Sequence, residues 1–308
     1  MRGRAPYWGS VRFFKHLILA ALALLILAPS VGCVLLAVQR AELRSELERA
    51  SLAAAPPSEP SAEPSPAPAV EVIPLPTEAE YPYYAYLHPE LYAPPCRRGS
   101  VNRENTCYLT FDDGPSARTP EVLDILREYG VRATFFTVGK TDEQSRAWMR
   151  RIVEEGHTLG VHSYSHSYRD IYDSVEAFLD DFAAQYALIL ETTGEAPAVF
   201  RFPGGSINGY NAGLYQEVIA EMTRRGFVYV DWNVSGEDAT ANATEASILA
   251  GALAGTDKRR AFVLLHDSAP RYDTAAALPG IITAYREAGF TFEAFTPEIA
   301  PVIFPYQN

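Results

Sequence analysis

The chain has 308 residues, of which 48% are hydrophobic, and its formal net charge at pH 7 is −12. This length and composition suit one catalytic domain with appendages, and the acidic balance argues against a nucleic-acid partner. The chain has three cysteines, and no two of them have the spacing of a structural zinc site: Cys33, Cys96 and Cys107.

The amino-terminal residues have the pattern of a membrane anchor. Residues 1–16 are basic, and residues 17–38 carry no charge. The uncharged run is long enough to span a bilayer and longer than the apolar core of a typical signal peptide. We therefore predict a cytoplasmic tail at 1–16 and a single transmembrane helix at 17–38, which places the remaining chain outside the cytoplasm. Secretion after cleavage of a signal sequence is the alternative.

Residues 39–95 have the composition of a stalk and a linker. Residues 39–52 are charged and helix-favouring, whereas residues 53–82 are rich in Pro, Ala, Ser and Glu and predict a disordered spacer. A catalytic domain is predicted at 96–308. Cys96 and Cys107 precede its first strand, and in an oxidising exterior they could form a disulfide, although the sequence leaves their geometry open.

From Cys107 onward, strand-forming and helix-forming segments alternate. This count of about seven β/α units predicts an α/β fold, a distorted (β/α)7-type barrel with parallel strands. The predicted strands are Tyr108–Phe111, Ala133–Val138, Thr158–Val161, Val199–Phe202, Phe227–Val234, Ala261–Leu265 and Phe290–Phe295. The predicted helices are Thr119–Tyr129, Asp142–Glu155, Ser174–Thr193, Asn211–Arg225, Thr244–Ala254 and Thr274–Ala288.

Polar residues cluster at the carboxyl ends of these strands, which is the face where barrel enzymes build their active sites. Such a common placement indicates one shared site. The residues concerned are Asp112, Asp113, His162, Arg201, Asp238 and His266.

Two of these motifs together predict a metal site. Asp112 and Asp113 end a strand, and the Gly-Pro pair at 114–115 supplies the bend that lets both carboxylates reach one site. His162 and His166 share one face if their segment is helical. Either motif alone is more often a solvated turn or an unliganded pair. One carboxylate with two imidazoles suits zinc, and the second carboxylate is then free to act as a base.

Over residues 107–304 the chain resembles the polysaccharide deacetylase family, carbohydrate esterase family four. Five signatures occur in the family's order, at residues 110–115, 162–166, 201–205, 232–239 and 264–267. The first, second and fifth match in full. The third has Gly204 where the family has an aromatic residue, and the fourth, which ends at Ala239, lacks one Asp and a Trp.

The resemblance implies that a divalent metal is bound by Asp113, His162 and His166. Zinc is the expected ion, with cobalt or another divalent ion as the alternative.

The resemblance also implies four catalytic roles. Asp112 would be the general base and His266 the general acid, while Arg201 would hold Asp112 and Asp238 would tune His266. These roles suit amide hydrolysis, because the carbonyl needs an activated water and the amine leaves only when it is protonated.

Substrate contacts are implied for a further group of residues. Leu264 would line the pocket for the acetyl methyl group. Since Gly204 and Ala239 lack aromatic side chains, the resemblance implies a more open or differently lined cleft, and Asn208, Tyr210 and Trp232 are candidates to line it. The implied substrate-binding residues are Leu264, Pro203, Gly204 and Trp232.

Three functions are compatible with this sequence. The first is a membrane-tethered hydrolase that removes N-acetyl groups from cell-wall polysaccharide, with N-acetylglucosamine of peptidoglycan as the expected substrate. The second is an esterase that removes O-acetyl groups from xylan or a surface glycan, and the third is a non-catalytic glycan-binding module. An acetylated polysaccharide and the membrane are the expected partners, and no protein partner is predicted.

Overall fold

A computed structural model describes residues 81–269 and 272–306 of the chain. The predicted cytoplasmic tail, the apolar segment 17–38 and nearly all of the Pro-rich linker lie outside these residues. Within the part described, no helix is both long and apolar enough to cross a bilayer.

The described residues form eight strands, seven α-helices and a short 3₁₀ helix at Tyr83–Tyr86. The strands are β1 Thr106–Asp112, β2 Thr134–Val138, β3 Thr158–Ser163, β4 Val199–Phe200, β5 Val228–Tyr229, β6 Val234–Ser235, β7 Arg260–His266 and β8 Thr291–Phe292. The helices are α1 Thr119–Glu128, α2 Glu143–Glu154, α3 Tyr168–Ile171, α4 Val175–Thr193, α5 Tyr215–Arg224, α6 Glu245–Leu253 and α7 Tyr272–Glu287.

All strand pairs are parallel, in the order β5-β4-β3-β2-β1-β7-β6, and β8 pairs with the first two residues of β1. The predicted barrel-like α/β class is confirmed as a curled parallel sheet. The sheet is open rather than closed, because no pairing joins β5 to β6 across the described strands.

The prediction of a single strand at Phe227–Val234 is wrong. The segment contributes two short strands, β5 and β6, which lie at opposite edges of the sheet. The backbone donors between them have other partners: Asp231 N–H donates to the carbonyl of Val302 at 2.8 Å, and Asn233 N–H donates to the carbonyl of Phe262 at 3.2 Å. These bonds satisfy the backbone while the chain crosses the opening.

Alternation along β1 separates the helix-facing core from the interior of the curled sheet. Leu109 and Phe111 are buried in the cluster that includes the helices' apolar residues, whereas Tyr108 stacks on Phe262 of β7 in a second cluster, with ring centroids 4.4 Å apart. Asp112 lies on the same side of the strand as Tyr108. The interior face therefore ends in a carboxylate at the carboxyl end of the sheet.

Cys96 and Cys107 are both free thiols, so the disulfide that the sequence allowed is not formed. Cys107 is fully buried on the helix-facing side of β1, among the core residues. Its side chain fills the core instead of reaching the surface loop.

The segment before the first strand is held on the domain by one buried arginine. Arg225, which is 1% exposed, donates to the carbonyls of Leu87 at 2.6 Å and His88 at 2.8 Å, and also to those of Tyr84 and Leu91. Its Nε bonds the buried Glu221 carboxylate at 2.6 Å. Residues 81–95, the lead-in to the domain, thus supply the carbonyl acceptors that a buried guanidinium needs.

Replacing Arg225 by Ala should lower the free energy of unfolding by about 1–3 kcal/mol, because the carbonyls of Leu87 and His88 lose their buried donor, while Glu221 keeps its bonds to Arg224. Denaturant titration of the full chain measures this value. Arg127→Ala is the matched control: Arg127 pairs with Asp124 at the surface, and its loss should cost less than about 1 kcal/mol. Equal losses for the two variants would contradict the assigned role of Arg225.

Candidate active site

The bend that turns Asp113 into the site lies at Asp113 itself. Its φ is +69°, a left-handed conformation that few residues other than glycine adopt. Gly114 is needed for another reason, which is the space beside it. A Cβ at this position would lie 2.3 Å from the carboxylate of Asp267, so only glycine leaves room for that side chain.

His162 and His166 do meet, but not on a helix. His162 lies in β3, and the chain then turns through residues 164–167, with His166 at φ +55°. The ring centroids are 5.3 Å apart. The expected shared face is therefore produced by a turn at the end of a strand.

Asp113, His162 and His166 converge with ligand atoms within 4.8 Å of one another. Oδ1 of Asp113 is buried and makes no hydrogen bond of normal geometry, although Nε2 of His166 lies 3.1 Å and Nε2 of His162 lies 3.4 Å from it. A carboxylate oxygen left without a hydrogen bond between two imidazole nitrogens fits a divalent cation that all three could bind.

The charges in this cluster act on one another. Burial alone would raise the pKa of Asp113, but the two imidazoles outweigh it and hold the pKa well below its usual range. Burial alone would lower the pKa of His162, yet the carboxylates of Asp112 and Asp113 raise it. The carboxylate of Asp113 and the two imidazoles therefore form a donor set that suits a divalent cation.

A carboxylate outside all five signatures holds the turn between His162 and His166. Asp181 of α4 accepts hydrogen bonds from the Ser163 hydroxyl at 2.7 Å, from Tyr164 N–H at 2.8 Å and from Ser165 N–H at 3.0 Å. Sequence analysis missed Asp181. Its signal was weak, because an acidic residue on an amphipathic helix normally faces solvent.

Arg201 connects Asp112, the predicted base, to His162 of the candidate metal cluster. Its guanidinium is fully buried and donates to Oδ1 of Asp112 at 3.0 Å and to the Thr110 hydroxyl at 2.7 Å. Its carbonyl lies 2.8 Å from Nδ1 of His162, which leaves Nε2 to face Asp113. The predicted contact between Arg201 and Asp112 is present.

His266 lies beside Asp112, because the two residues are register partners on the adjacent strands β7 and β1. Nδ1 of His266 is 2.8 Å from Oδ1 of Asp238, whose other oxygen accepts from His266 N–H at 2.7 Å and from the Thr274 hydroxyl at 2.7 Å. Burial alone would lower the pKa of His266, but Asp238, with Asp112 and Asp113, raises it to about 9. The predicted pair of His266 and Asp238 is therefore present and holds a proton.

The residues predicted to bind substrate lie around this centre with different exposure. Leu264, 9% exposed, precedes His266 by two residues on the same side of β7. Pro203 is buried and its carbonyl accepts from the Tyr172 hydroxyl at 2.8 Å. Gly204 is exposed at φ +76°, and Trp232 is half-buried against Phe304, with ring centroids 4.9 Å apart.

Two further buried aspartates were not predicted as site residues. Asp231 accepts from the Ser206 hydroxyl at 2.6 Å and from Phe304 N–H at 2.7 Å, and its carbonyl binds Arg201. Asp267 accepts from the Thr119 hydroxyl at 2.5 Å, and burial raises its pKa to about 7. Each of these aspartates joins two loops, because its hydrogen-bond partners lie far from it in the sequence.

Comparisons with known proteins agree with this geometry. The model of one family, described as polysaccharide deacetylase, matches residues 99–226. A peptidoglycan-N-acetylglucosamine deacetylase of Bacillus cereus is 33% identical over 217 residues, covering 68% of this chain and 77% of that protein. The chain belongs to the polysaccharide deacetylase family. It is therefore a hydrolase of the deacetylase class, which disfavours the non-catalytic alternative.

Solved structures of the family share the fold. The catalytic domain of a peptidoglycan N-acetylglucosamine deacetylase from Eubacterium rectale has a TM-score of 0.64 and 33% identity, covering 68% of this chain and 97% of that one. A family 4 acetyl xylan esterase from Clostridium thermocellum, in complex with a cobalt ion, has a TM-score of 0.53 and 30% identity, covering 61% and 87%. Both amide-cleaving and ester-cleaving relatives therefore share this architecture.

Replacing Asp181 by Asn should weaken divalent-metal binding by about 10- to 100-fold, because residues that orient metal ligands usually contribute that much. Competition with a chromogenic chelator measures the affinity for zinc and cobalt. Asp180→Asn is the matched control, since the neighbouring carboxylate is 70% exposed and contacts His88 instead. Unchanged affinity in Asp181→Asn, with the control also unchanged, would contradict the supporting role.

Proposed function

We propose that this protein removes N-acetyl groups from a cell-wall polysaccharide, with N-acetylglucosamine units of peptidoglycan as substrate. The observation that carries the proposal is the convergence of a base, a protonated imidazole and a three-residue metal cluster at the carboxyl end of one sheet. The similarity to peptidoglycan deacetylases supports the choice of substrate.

Asp113, His162 and His166 would hold the divalent metal, with zinc as the expected ion and cobalt as an alternative. When bound, such a cation polarises the acetyl carbonyl and lowers the pKa of a coordinated water. The structure supplies one carboxylate oxygen and two imidazole nitrogens for it.

The residues of the chain handle the protons. Asp112, held by Arg201, accepts a proton from the water whose oxygen forms the new bond to the acetyl carbon. Nε2 of His266 gives its proton to the amine nitrogen as the carbon–nitrogen bond breaks, and Asp238 stabilises the charged imidazole beforehand. The products are acetate and a free amino sugar.

We further propose that the domain acts outside the cytoplasm, tethered to the cell membrane. The uncharged segment at 17–38, with basic residues before it, supports this location, and the Pro-rich linker provides reach into the wall. Release of the domain after signal cleavage is the alternative.

O-acetyl ester cleavage is a second candidate activity. The similarity to an acetyl xylan esterase favours it, since that relative shares the fold at 30% identity. An alkoxide leaves more readily than an amine, so an ester depends less on His266.

The activity should depend on a protonated His266 and fall as the pH rises through about 9. The sign follows from the raised pKa: the imidazolium persists below this value and is lost above it. Asp238→Asn should move the alkaline limb of kcat/KM toward lower pH by at least about one unit, because its carboxylate stabilises the charged form. Glu237→Gln, a change at an exposed neighbour, is the control. An alkaline limb unchanged by Asp238→Asn would exclude His266 as the titrating acid.

Acetate release from a panel of substrates tests the proposed reaction. The full chain, loaded with zinc or cobalt, should release acetate from peptidoglycan fragments faster than from acetylated xylan. A chelator should abolish release and added metal should restore it, whereas Asp112→Asn should lower kcat by at least about 100-fold. Release from acetylated xylan alone would replace the amidase assignment by the esterase, and no release from any member would overturn both.

A further inference from the structure

A row of aromatic rings leads outward from the metal cluster. Tyr168 packs edge-on against His166, with ring centroids 5.4 Å apart at an interplanar angle of 83°. Tyr210 then packs against Tyr168, with centroids 5.3 Å apart at 61°. Tyr210 is 63% exposed, although large aromatic residues are usually buried more deeply. The row therefore joins a metal ligand to an open aromatic surface.

Gly204 leaves the space that Tyr168 occupies. A Cβ at Gly204 would lie 2.7 Å from Cε1 of Tyr168 and 3.3 Å from the Asn208 amide nitrogen, and its φ of +76° disfavours any side chain. An aromatic residue at 204 and the observed position of Tyr168 exclude each other. Where the third signature of the family has an aromatic residue, this chain has Gly204, and the ring of Tyr168 lies in the space beside it.

The loop that carries Tyr210 is held in one conformation by side-chain hydrogen bonds. Asn208 accepts from Tyr210 N–H at 2.8 Å and donates to the carbonyls of Pro203 at 3.2 Å and Gly205 at 3.1 Å. Asn211, fully buried, accepts from Asn208 N–H at 2.8 Å. An exposed ring on so constrained a loop loses little conformational freedom on binding.

We propose that Tyr210 stacks on a pyranose ring of the glycan, and that Tyr168 is the positioning residue that holds Tyr210 beside the metal cluster. Resting on the proposed function, this inference names the part of the cleft that binds a sugar unit next to the one that is deacetylated. A sugar ring presents apolar C–H groups on its face, which an aromatic ring can cover while the tyrosine hydroxyl remains in water.

The test is steady-state kinetics on an N-acetylglucosamine tetramer and on a small aryl acetate, which carries no sugar ring. Tyr210→Ala should raise KM for the tetramer about five- to tenfold with a smaller change in kcat, as expected for the loss of one aromatic contact. The loss on the aryl acetate should be smaller than that on the tetramer. Tyr210→Phe should restore KM to within about twofold of the wild type, because the ring is kept.

Calorimetric titration of the tetramer into the same variants provides a readout that is independent of turnover. Tyr86→Ala, a change at a 69% exposed tyrosine of the lead-in, is the control and should leave affinity and KM unchanged. An active wild type with equal tetramer affinity and KM in Tyr210→Ala would overturn this inference alone. A wild type that neither binds nor deacetylates any glycan would instead overturn the proposed function.

Discussion

The buried guanidinium of Arg201 is the interaction on which the rest of the site depends. It donates to Asp112 and Thr110 on β1, and to the carbonyls of Val230 and Asp231 on the segment that crosses the sheet opening. Its charge also lies 4.6 Å from the centre of the Phe136 ring. A fully buried cation needs all these acceptors, so Arg201 fixes Asp112, the segment that crosses the sheet opening and the Phe136 ring relative to one another.

The two histidine functions are then supported by separate carboxylates. Asp181 holds the turn between His162 and His166 through backbone and hydroxyl donors, while Asp238 holds His266 and keeps it protonated. The metal cluster favours a cation, whereas the His266 pair stabilises a proton. Asp112 lies between them because β1 stands between β3, which carries His162, and β7, which carries His266. The adjacent groups can therefore have opposite proton affinities, as acid and base chemistry requires.

Much of the site could be predicted because its residues occur in short motifs at strand ends. Asp112, Asp113, His162, His166 and His266 each follow a β-favouring run, and parallel strands bring such ends to one edge. Asp181, Asp231 and Tyr168 could not be found in the same way, since each acts on partners brought near only by folding. The glycine at 204 suggested that the cleft lacks an aromatic residue at this position, whereas the structure shows the ring of Tyr168 in the space beside it.

The sequence by itself determined the α/β class and the strand ends at which the candidate site residues lie, because hydrophobic periodicity and local motifs specify strands, helices and the residues at their ends. Only the tertiary structure decided where Phe227–Val234 breaks, how Asp113 turns, and that His162 and His166 meet at a turn rather than on a helix. Side-chain hydrogen bonds and close backbone approaches decided these points, and they join residues far apart in the chain.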